Sequence, residues 1–474
     1  MADTASSDKF DGLRSILGAN GYLDKAADMV PYVTDWRGRA SGKAAFVALP
    51  SCTEEVAKVV KHCAANQITI IPQGGNTGLV LGGVPTTAGD ELVISLKRMN
   101  HVTEVDEQSY TLTCEAGCIL QNIQNAASDV DRLFPLSLAA EGSCTIGGNI
   151  STNAGGIHVL RYGNMREQVL GLEVVMANGE VWDGLKGLRK DNAGYDLKQL
   201  FIGGEGTLGI VTKACLKLYP KPTIIETAAI GLDSPEAAIK TLAELRARIG
   251  DAVVAFEIFP HQGLEFVLKH IEGTRPMLEG EHPWYAIAEV WGFAGDEQLK
   301  DRFMATLAGL LDDGQASDIA LAQSVAHRQD FWRVREEFAI ALKTEGAGFA
   351  FDVSVPVRRI PEFIERAAPK MQAILPGIRP VPFGHAGDGN LHYNMAAPLD
   401  ASEADVLAKK EEITRAVHDL ANAMDGSIAA EHGMGRQKAK EFTRYASQVE
   451  QGMSRAIKAA LDPSGLFSPG RILE

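Results

Sequence analysis

The first half of the chain alternates short apolar segments with loops rich in glycine. Each apolar segment is too short for a helix and is rich in β-branched residues, which is typical of strands. The pattern predicts strands at 68–71, 91–96, 110–116, 171–177 and 209–218. One helix is predicted at 51–66, where Ser51 and Thr53 can cap the N-terminus and Val56, Val59 and Val60 form an apolar stripe.

The pattern changes after residue 222. The segment Leu218–Pro222 contains two prolines, interrupts the strand pattern and indicates a domain boundary. Beyond it, helices are predicted at 234–249, 297–313, 359–373 and 402–424, with strands at 252–259 and 285–291. Ser234 and Ser402 provide helix starts. The whole pattern predicts an α+β protein with more than one domain.

Composition excludes several classes of protein. Charged residues make up 23% and hydrophobic residues 45% of the 474 residues, an ordinary globular balance, and the formal net charge of −15 disfavours nucleic acid as a partner. The N-terminus lacks the pattern of a secretory signal. The sequence contains no apolar run of ~18 residues, so we expect no transmembrane segment. The six cysteines are scattered without the spacing of a zinc site. We therefore expect a cytoplasmic protein with reduced thiols.

The glycines of the first half form three clusters. They lie at 74–78, 142–156 and 203–209. Glycine lets backbone N–H groups surround an anion without a Cβ in the way, so three such loops indicate a large phosphate-bearing ligand such as a dinucleotide. No G-K-[ST] follows a cluster, which excludes a P-loop. The third cluster contains G-x-G-x-x-G, but a predicted strand follows it, which argues against a Rossmann site for NAD.

The runs PQGGNTGLVLGG, GSCTIGGNISTNAGGIHVLRYG and GGEGTLGIVT resemble the flavin domain of the vanillyl-alcohol-oxidase type, also called PCMH-type. The resemblance implies a two-subdomain FAD-binding domain at 41–222, preceded by an N-terminal helical segment at 1–40. It also implies a substrate (cap) domain with an antiparallel sheet at 223–425. A C-terminal segment at 426–474 would return to the flavin and complete the active site.

The same resemblance assigns the FAD contacts. The FAD diphosphate would be held by Pro72, Gly74, Gly75, Asn76, Thr77, Gly78 and Leu79. The rest of the cofactor would be contacted by Pro135, Gly142, Thr145, Gly148, Asn149, Thr152, Asn153, Gly156, Glu205, Gly209 and Ile210. Some relatives attach FAD covalently through a histidine of the first loop, but 74–83 holds no His or Cys, so we expect noncovalent FAD. We interpret His158, a lone histidine in the second run, as a surface-loop residue.

A group of candidate metal ligands surrounds the sequence GHAGDGNLHYN. Asp388-Gly389 is a strong two-residue hairpin turn, and a hairpin centred on it pairs His385 directly with His392. Opposed residues have Cβ atoms ~4.5–5.5 Å apart, which suits two imidazoles on one metal, and Asn394 would point to the same face. Glu431-His432 is the best source of a third ligand, and a His₂Glu set suits Zn²⁺ or Mn²⁺. A purely structural histidine pair is the open alternative.

The runs GHAGDGNLHYN and AEHGMGR resemble the C-terminal domain of the flavin-linked D-2-hydroxyacid dehydrogenases. That group includes D-lactate and D-2-hydroxyglutarate dehydrogenases and the flavin subunit of glycolate oxidase. The resemblance implies that His385, His392 and Glu431 bind the metal, that His432 is the catalytic base and that Asn394 binds substrate. Hydride would pass from C2 of a D-2-hydroxy acid to flavin N5 and leave a 2-oxo acid.

Arg335 is the candidate for binding the substrate carboxylate. A guanidinium binds a carboxylate through two parallel hydrogen bonds, and resemblance to the D-2-hydroxyglutarate branch gives Arg335 this role. The alternative interpretation is a solvated helix face on which Arg335 pairs with Glu336, Glu337 and other neighbours.

Two positions depart from the D-2-hydroxyglutarate branch. Where those enzymes place a Thr and a Lys for the second carboxylate, this chain has Ala339 and Ala350. Lys343 or Arg333 would have to compensate, or the substrate is a smaller acid such as D-lactate or one with a different distal group.

The reduced flavin needs an electron acceptor. The sequence has no C-x-x-C-H haem motif and no iron–sulfur cysteine set, so we expect an external acceptor: a quinone, an electron-transfer flavoprotein or a cytochrome. A homodimer is compatible with the sequence. The alternatives are an oxidase that uses oxygen, a non-redox flavin transferase such as the alkyl-dihydroxyacetone-phosphate synthases, a flavin subunit of a glycolate-oxidase-like complex, and an inactive flavin-binding subunit of a larger complex.

Overall fold

The computed structural model describes residues 4–473, with side chains from residue 9 onward. The described chain forms two compact units. Unit 1 contains the described residues up to Gly156, together with Gly163–Lys221 and the described residues from His432 onward. Unit 2 contains Ile157–Tyr162 and Pro222–Glu431. The end of the first half at Lys221 lies within the proline-containing segment that the sequence indicates as a boundary.

The helices and strands of the described residues are as follows. The helices are α1 (Thr4–Leu17), α2 (Ala26–Val33), α3 (Thr53–Asn66), α4 (Leu120–Ser128), α5 (Ile146–Ser151), α6 (Val159–Tyr162), α7 (Met165–Gln168), α8 (Lys198–Phe201), α9 (Pro235–Ile249), α10 (His261–His270), α11 (Leu299–Asp312), α12 (Val325–Glu336), α13 (Phe338–Thr344), α14 (Ile360–Ile374), α15 (Glu403–Ala408), α16 (Lys410–Ala423), α17 (Ala439–Tyr445) and α18 (Gln448–Leu461). The strands are β1 (Tyr22–Leu23), β2 (Phe46–Ala48), β3 (Ile70–Gln73), β4 (Leu92–Ser95), β5 (Val102–Asp106), β6 (Thr111–Glu115), β7 (Arg132–Leu133), β8 (Val169–Val175), β9 (Val181–Gly184), β10 (Ile210–Lys217), β11 (Tyr219–Pro220), β12 (Ile224–Leu232), β13 (Val253–Pro260), β14 (Trp284–Gly292), β15 (Asp318–Leu321), β16 (Asp352–Ser354), β17 (Arg379–His385) and β18 (Asn390–Ala396). Short 3-10 turns occur at Gly250–Ala252 and Val357–Arg359.

Unit 1 begins with a four-stranded sheet in the order β1-β2-β4-β3, in which β2, β4 and β3 run parallel. Successive side chains of a strand point to opposite faces, and both faces of this sheet are covered. Ile70 and Leu92 enter the main core with α1 and α3, whereas Ile71 and Val93 enter a smaller core with Met29 of α2. Burial on both faces explains why these strands are almost continuously apolar in the sequence.

The second sheet of unit 1 is antiparallel, with five strands in the order β5-β6-β10-β8-β9. The central strands β8 and β10 are paired over most of their length, and register shifts interrupt the pairing between Val211 and Lys213 and between Cys215 and Leu216. All seven residues of β8 are buried. Residues of both sheets share one core. The first glycine cluster follows β3 directly and the third ends directly before β10, so both clusters are attached to the ends of buried strands.

Unit 2 is built on a seven-stranded antiparallel sheet in the order β15-β12-β14-β13-β17-β18-β16. One face carries Phe256, Ile258 and Ala288 into a core that also contains residues of α9, α11, α14 and α16. Glu257 and Glu289 alternate with these apolar residues and therefore point to the opposite face, where they are almost fully buried. Because buried acidic side chains are rare outside functional sites, we expect the functional site of unit 2 on this second face of the sheet.

The sequence-based prediction of an α+β fold is confirmed. Each predicted strand is present, with ends that differ from the prediction by a few residues. Ser234 and Ser402 cap their helices, because their hydroxyls accept the backbone N–H of Ala237 and Asp405. The single helix predicted at 402–424 is wrong: the chain forms α15 and α16, which are separated at Lys409.

Candidate active site

The hairpin formed by β17 and β18 carries the two candidate metal-binding histidines. The predicted register is wrong, because His392 pairs with Phe383 rather than with His385, and the connection is the four-residue turn 386–389 instead of a two-residue Asp-Gly turn. The difference in pairing is two residues. Since side chains alternate with a period of two, His385 and His392 still lie on one face, with ring centroids 5.5 Å apart.

Each histidine has a buried carboxylate next to its Nδ1 atom. Glu257 on β13 is the direct cross-strand partner of His385, and its Oε1 contacts His385 Nδ1. Asp352 on β16 is the cross-strand partner of His392, with Oδ1 3.9 Å from His392 Nδ1. A carboxylate at Nδ1 favours the tautomer whose Nε2 lone pair is available to a metal.

The Nε2 atoms of both histidines lie near the carboxylate of Glu431. His385 Nε2 is 3.4 Å from Oε1 of Glu431, and His392 Nε2 is 4.0 Å from Oε2. One ligand atom each of Asp352, His392 and Glu431 lie within 4.8 Å of one another. Asp352, however, already accepts hydrogen bonds from Asn390 and from the backbone N–H groups of Ala430 and Glu431.

Two imidazole nitrogens and one carboxylate therefore converge, and this donor set fits Zn²⁺ or another divalent transition metal. Asp352 fixes the backbone at Glu431 through its hydrogen bonds and lies 3.9 Å from His392 Nδ1. His432, the predicted base, is the next residue after Glu431, so the peptide bond places its backbone beside this set.

The titratable groups of the cluster are strongly perturbed. Burial disfavours the imidazolium of His385, but the negative charges of Glu257 and Glu431 outweigh it and raise its pKa to about 9. Burial, reinforced by nearby carboxylates, raises the pKa of Glu431 to about 7, although His385 opposes the rise. Burial would also raise the pKa of Glu257, but Arg335 and His385 hold it at about 2. Groups with pKa values shifted in opposite directions are typical of functional sites.

Arg335 on α12 is buried beside the same cluster. Its Nε donates to Oε2 of Glu257 at 2.6 Å, and its guanidinium lies 4.7 Å from the ring centroid of Phe383. The alternative interpretation, a solvated Arg335 paired with neighbouring glutamates of its helix, is therefore wrong. No described residue accepts a hydrogen bond from either terminal nitrogen of Arg335, so that edge can bind a carboxylate.

Asn394 follows His392 by two residues on β18. Both side chains are partly exposed, whereas Leu391, Tyr393 and Met395 between and beside them are buried. Asn394 therefore lies on the same face as His392, as the alternation of the sequence predicts.

In unit 1 the first two glycine clusters lie directly against each other. A Cβ on Gly74 would collide with Thr145 Oγ1, and a Cβ on Gly75 would collide with the carbonyl oxygen of Ser143. The ends of the first loop are fixed by Gln73, whose side-chain amide donates to the carbonyl oxygens of Tyr32 and Gly83. Only glycine permits this close approach of two loops.

The second cluster presents buried polar atoms that lack a partner among the described residues. Thr145 Oγ1 and Asn149 Oδ1 are such atoms, at the start and within α5. Buried polar groups are nearly always hydrogen-bonded, so orphaned ones beside glycine loops indicate a polar ligand. These loops fit the diphosphate-bearing cofactor FAD.

The other predicted cofactor residues lie on the same loops or beside them. Pro72 is in β3, and Asn76, Thr77, Gly78 and Leu79 follow it, with the Asn76 amide donating to the carbonyl oxygens of Pro31 and Thr34. The second glycine cluster contains Gly142, Gly148, Thr152, Asn153 and Gly156, and Pro135 precedes it in the chain. Gly209 ends the third cluster, and Ile210 begins β10. Their contacts with FAD stay a prediction.

Glu205 of the third cluster binds protein backbone. Its two carboxylate oxygens accept the N–H groups of Met434 and Gly435, both at 2.7 Å, and burial raises its pKa. These bonds tie the third glycine cluster to the segment that follows His432 within unit 1.

His158 is not a surface residue, contrary to the interpretation from the sequence. It is 9% exposed, and its ring centroid lies 4.3 Å from that of Trp291 in unit 2. Helix α6, which directly follows His158, packs against β13, and its Leu160 packs against the core of unit 2.

Sequence reasoning missed Glu257 and Asp352. Both are acidic residues inside apolar strands, in the runs VVAFEIF and FAFDVSV. A charge at such a position is rarely buried without a partner, and this is the signal that identifies them.

The comparisons with known proteins agree with these features. Residues 44–184 match the FAD binding domain family, and residues 221–472 match the family described as FAD linked oxidases, C-terminal domain. The chain is 37% identical to a mitochondrial D-2-hydroxyglutarate dehydrogenase of Arabidopsis thaliana, over 97% of this chain and 80% of that protein. It is 39% identical to a D-2-hydroxyglutarate dehydrogenase of Xanthomonas citri, over 94% of this chain and 93% of that protein.

Solved structures support the same fold. The crystal structure of p-cresol methylhydroxylase with substrate bound superimposes with a TM-score of 0.75 and 17% identity, over 99% of this chain and 98% of that one. The FAD fold of the vanillyl-alcohol-oxidase type is thereby confirmed. Among the described residues, no helix combines the length and apolarity needed to cross a membrane. The chain belongs to the family of FAD-linked oxidases.

Proposed function

We propose that this protein is a FAD-dependent dehydrogenase that oxidises a D-2-hydroxy acid to the 2-oxo acid. One observation carries the proposal: the Glu431 carboxylate lies near the Nε2 atoms of both His385 and His392, and Glu257 connects His385 to the Arg335 guanidinium. A 2-hydroxy acid offers a hydroxyl and a carboxylate on neighbouring carbons. The hydroxyl oxygen can bind a metal, and the carboxylate can bind both a metal and an arginine side chain.

We assign separate roles in metal binding and substrate binding to residues of this chain. His385, His392 and Glu431 would hold the metal, for which we propose Zn²⁺, with Mn²⁺ as the alternative. Arg335 binds the substrate carboxylate through its two terminal nitrogens, and Asn394 orients the acid by hydrogen bonding. When bound, FAD supplies a hydride acceptor and the metal supplies a Lewis acid that lowers the pKa of the substrate hydroxyl.

His432 accepts the hydroxyl proton in this proposal. An imidazole is suited to this step because its ordinary pKa lies near neutrality. His432 is adjacent in the chain to the ligand Glu431, and the turn after it is fixed by the bonds from Met434 and Gly435 to Glu205. A fixed backbone limits the positions that its ring can adopt.

The identity of the acid depends on the residues around the distal group. D-2-hydroxyglutarate is the first candidate, since similar proteins are named for it. Ala339 and Ala350 are both exposed and provide no polar atom for a second carboxylate. Arg333 already donates to the carbonyl oxygen of Glu272, whereas Lys343 lies one helical turn from Ala339 and is exposed. D-Lactate is therefore the second candidate.

We further propose an external electron acceptor: a quinone, an electron-transfer flavoprotein or a cytochrome. A homodimer and a cytoplasmic location also stay predictions. Several similar proteins are named as mitochondrial, so a mitochondrial location is the alternative.

The test is an anaerobic visible spectrum of the purified protein before and after each acid is added. Flavin bands that bleach with D-2-hydroxyglutarate or D-lactate, and not with the L-enantiomers, would support the proposal and identify the acid. Flavin bands that no 2-hydroxy acid bleaches would contradict the activity. Protein that neither contains nor takes up FAD would contradict the cofactor as well.

A further inference from the structure

Glu257 is a buried carboxylate that contacts two residues with different predicted tasks. It is 1% exposed on β13, where its neighbours Phe256 and Ile258 point into the apolar core. Oε2 accepts from Arg335 Nε at 2.6 Å, and Oε1 contacts His385 Nδ1. Each oxygen thus serves one partner.

Stability alone is a weak explanation for such a group. Removing a carboxylate from water is costly, and buried ion pairs are often no more stable than well-packed apolar residues of the same volume. The strand pairing nevertheless places Glu257 directly opposite His385. The arrangement has a consequence for chemistry, because it fixes which nitrogen of His385 keeps its proton when a metal binds.

A carboxylate at Nδ1 keeps a proton on that nitrogen, so Nε2 is the nitrogen that releases its proton and offers its lone pair when a metal binds. That Nε2 atom lies 3.4 Å from Glu431 Oε1, within the proposed ligand set. The other oxygen holds Arg335 by Nε and leaves its terminal nitrogens for a substrate carboxylate, while Phe383 supports the guanidinium plane. The position of Arg335 is thereby linked to that of a metal ligand.

We propose that Glu257 is a positioning residue whose two oxygens hold His385 and Arg335 at a fixed separation, so that the metal and the substrate carboxylate are aligned together. The inference rests on the proposed function. It adds a residue that acts through others and touches neither metal nor substrate.

The chain offers a matched control in Glu289. It lies on β14, next to β13 and on the same face of the sheet, and it is also buried. Its carboxylate accepts from the indole N–H of Trp291 and of Trp332, and Trp332 belongs to α12, as Arg335 does. Glu289→Gln therefore disturbs the same sheet and the same helix without touching His385 or Arg335.

The experiment compares wild type, Glu257→Gln, Arg335→Gln and Glu289→Gln as purified flavoproteins. Zn²⁺ affinity is measured on metal-stripped protein by competition with a chromophoric chelator, and KM and kcat are measured on the reconstituted enzyme with the acid that bleaches wild type. We expect Glu257→Gln to weaken Zn²⁺ binding by about 10–100-fold, the usual effect of losing such an outer carboxylate, and to raise KM as well. Arg335→Gln should raise KM and leave Zn²⁺ affinity near that of wild type, and Glu289→Gln should leave Zn²⁺ affinity unchanged.

Zn²⁺ affinity and KM of Glu257→Gln equal to those of wild type would overturn the inference and leave the proposed function intact. An equal loss of Zn²⁺ affinity in Glu289→Gln would also overturn it, since a general disturbance of the sheet would then explain the loss in Glu257→Gln. If Glu257→Gln does not fold with FAD bound, Glu257→Asp takes its place. It keeps the charge on a shorter side chain, so intermediate Zn²⁺ affinity supports the inference and wild-type affinity overturns it. A wild-type protein that binds no Zn²⁺ and oxidises no 2-hydroxy acid would contradict the proposed function itself.

Discussion

The carboxylate of Asp352 accepts the backbone N–H of Glu431 at 2.9 Å. The same carboxylate accepts from Ala430 at 3.1 Å and from the Asn390 side chain at 2.7 Å, and it lies 3.9 Å from His392 Nδ1. One buried side chain thus fixes the chain at a proposed metal ligand and stands next to another ligand. This relationship makes the ligand set depend on β16, a strand of three residues.

Replacing Asp352 with Asn should weaken metal binding. An amide has one acceptor oxygen in place of two, so it cannot serve both the backbone N–H groups and the Asn390 donor. We expect Zn²⁺ affinity of Asp352→Asn to fall by about 10–100-fold, with FAD content as in wild type. Zn²⁺ titration and flavin absorbance measure the two quantities. Unchanged affinity would show that Asp352 has no part in arranging the site.

Replacing His432 with Ala should remove the proposed catalytic base and leave the flavin bound. General-base catalysis contributes about 10²–10⁴-fold, so we expect kcat to fall by that factor. Anaerobic flavin reduction by the substrate, followed in a stopped-flow instrument, measures the chemical step. Flavin reduction at the wild-type rate would show that another group accepts the proton. His158→Ala, in the core of unit 2, serves to report the effect of losing a buried histidine elsewhere.

Replacing Thr145 with Val should weaken FAD binding without destabilising the apoprotein. The Thr145 hydroxyl is buried and has no partner among the described residues, so its removal costs the apoprotein nothing. If the hydroxyl binds FAD, its loss costs about 1 kcal/mol, or roughly fivefold in Kd. Fluorescence titration with FAD and thermal melting of apoprotein provide the measurements. Wild-type affinity in this variant would exclude Thr145 from the cofactor site.

The substrate preference should respond to the two alanines. The resemblance to the D-2-hydroxyglutarate branch implies that a Thr and a Lys stand at these two positions in that branch. The double variant Ala339→Thr/Ala350→Lys should therefore raise kcat/KM for D-2-hydroxyglutarate relative to D-lactate. Steady-state kinetics with both acids measure the ratio. A lower ratio, or no change, would indicate that the distal group is recognised elsewhere, with Lys343 as the next residue to replace.

The carboxylate of Glu345 should stabilise unit 2 in a defined pH range. Burial would raise its pKa, but hydrogen bonds from Lys269, His270 and Arg379 lower it to about 2. A carboxylate whose pKa is lower in the folded state stabilises the fold above the unfolded pKa of ~4.3, and this stabilisation is lost as pH falls towards 2.

Glu345→Gln should therefore lower the melting temperature at pH 6–7, and the difference from wild type should shrink as pH falls from about 4.5 towards 2. Thermal melting at a series of pH values measures this, with the exposed Glu403→Gln as control. A difference that is constant over the series would show that the ion pairs of Glu345 contribute no pH-dependent stability.

The sequence alone determined the class of elements and the chemical groups of the site. The strand and helix periods, the proline-containing boundary and the glycine clusters are local properties, so they identified an α+β chain with a cofactor-binding first half. The same is true of the face shared by His385, His392 and Asn394, because side-chain alternation depends only on parity.

Only the tertiary structure decided what surrounds those groups. The strand register of β17 and β18 depends on a four-residue turn and on pairing with β13, and neither is encoded by the Asp-Gly dipeptide. Glu257 and Asp352 reach the histidines from strands more than thirty residues away in the chain, so no local pattern could identify their roles. Burial of Arg335 and His158 likewise depends on contacts that are distant in sequence, with Glu257 and Trp291. Side-chain type is a local property, whereas dielectric environment and partner are set by the packing of the whole unit.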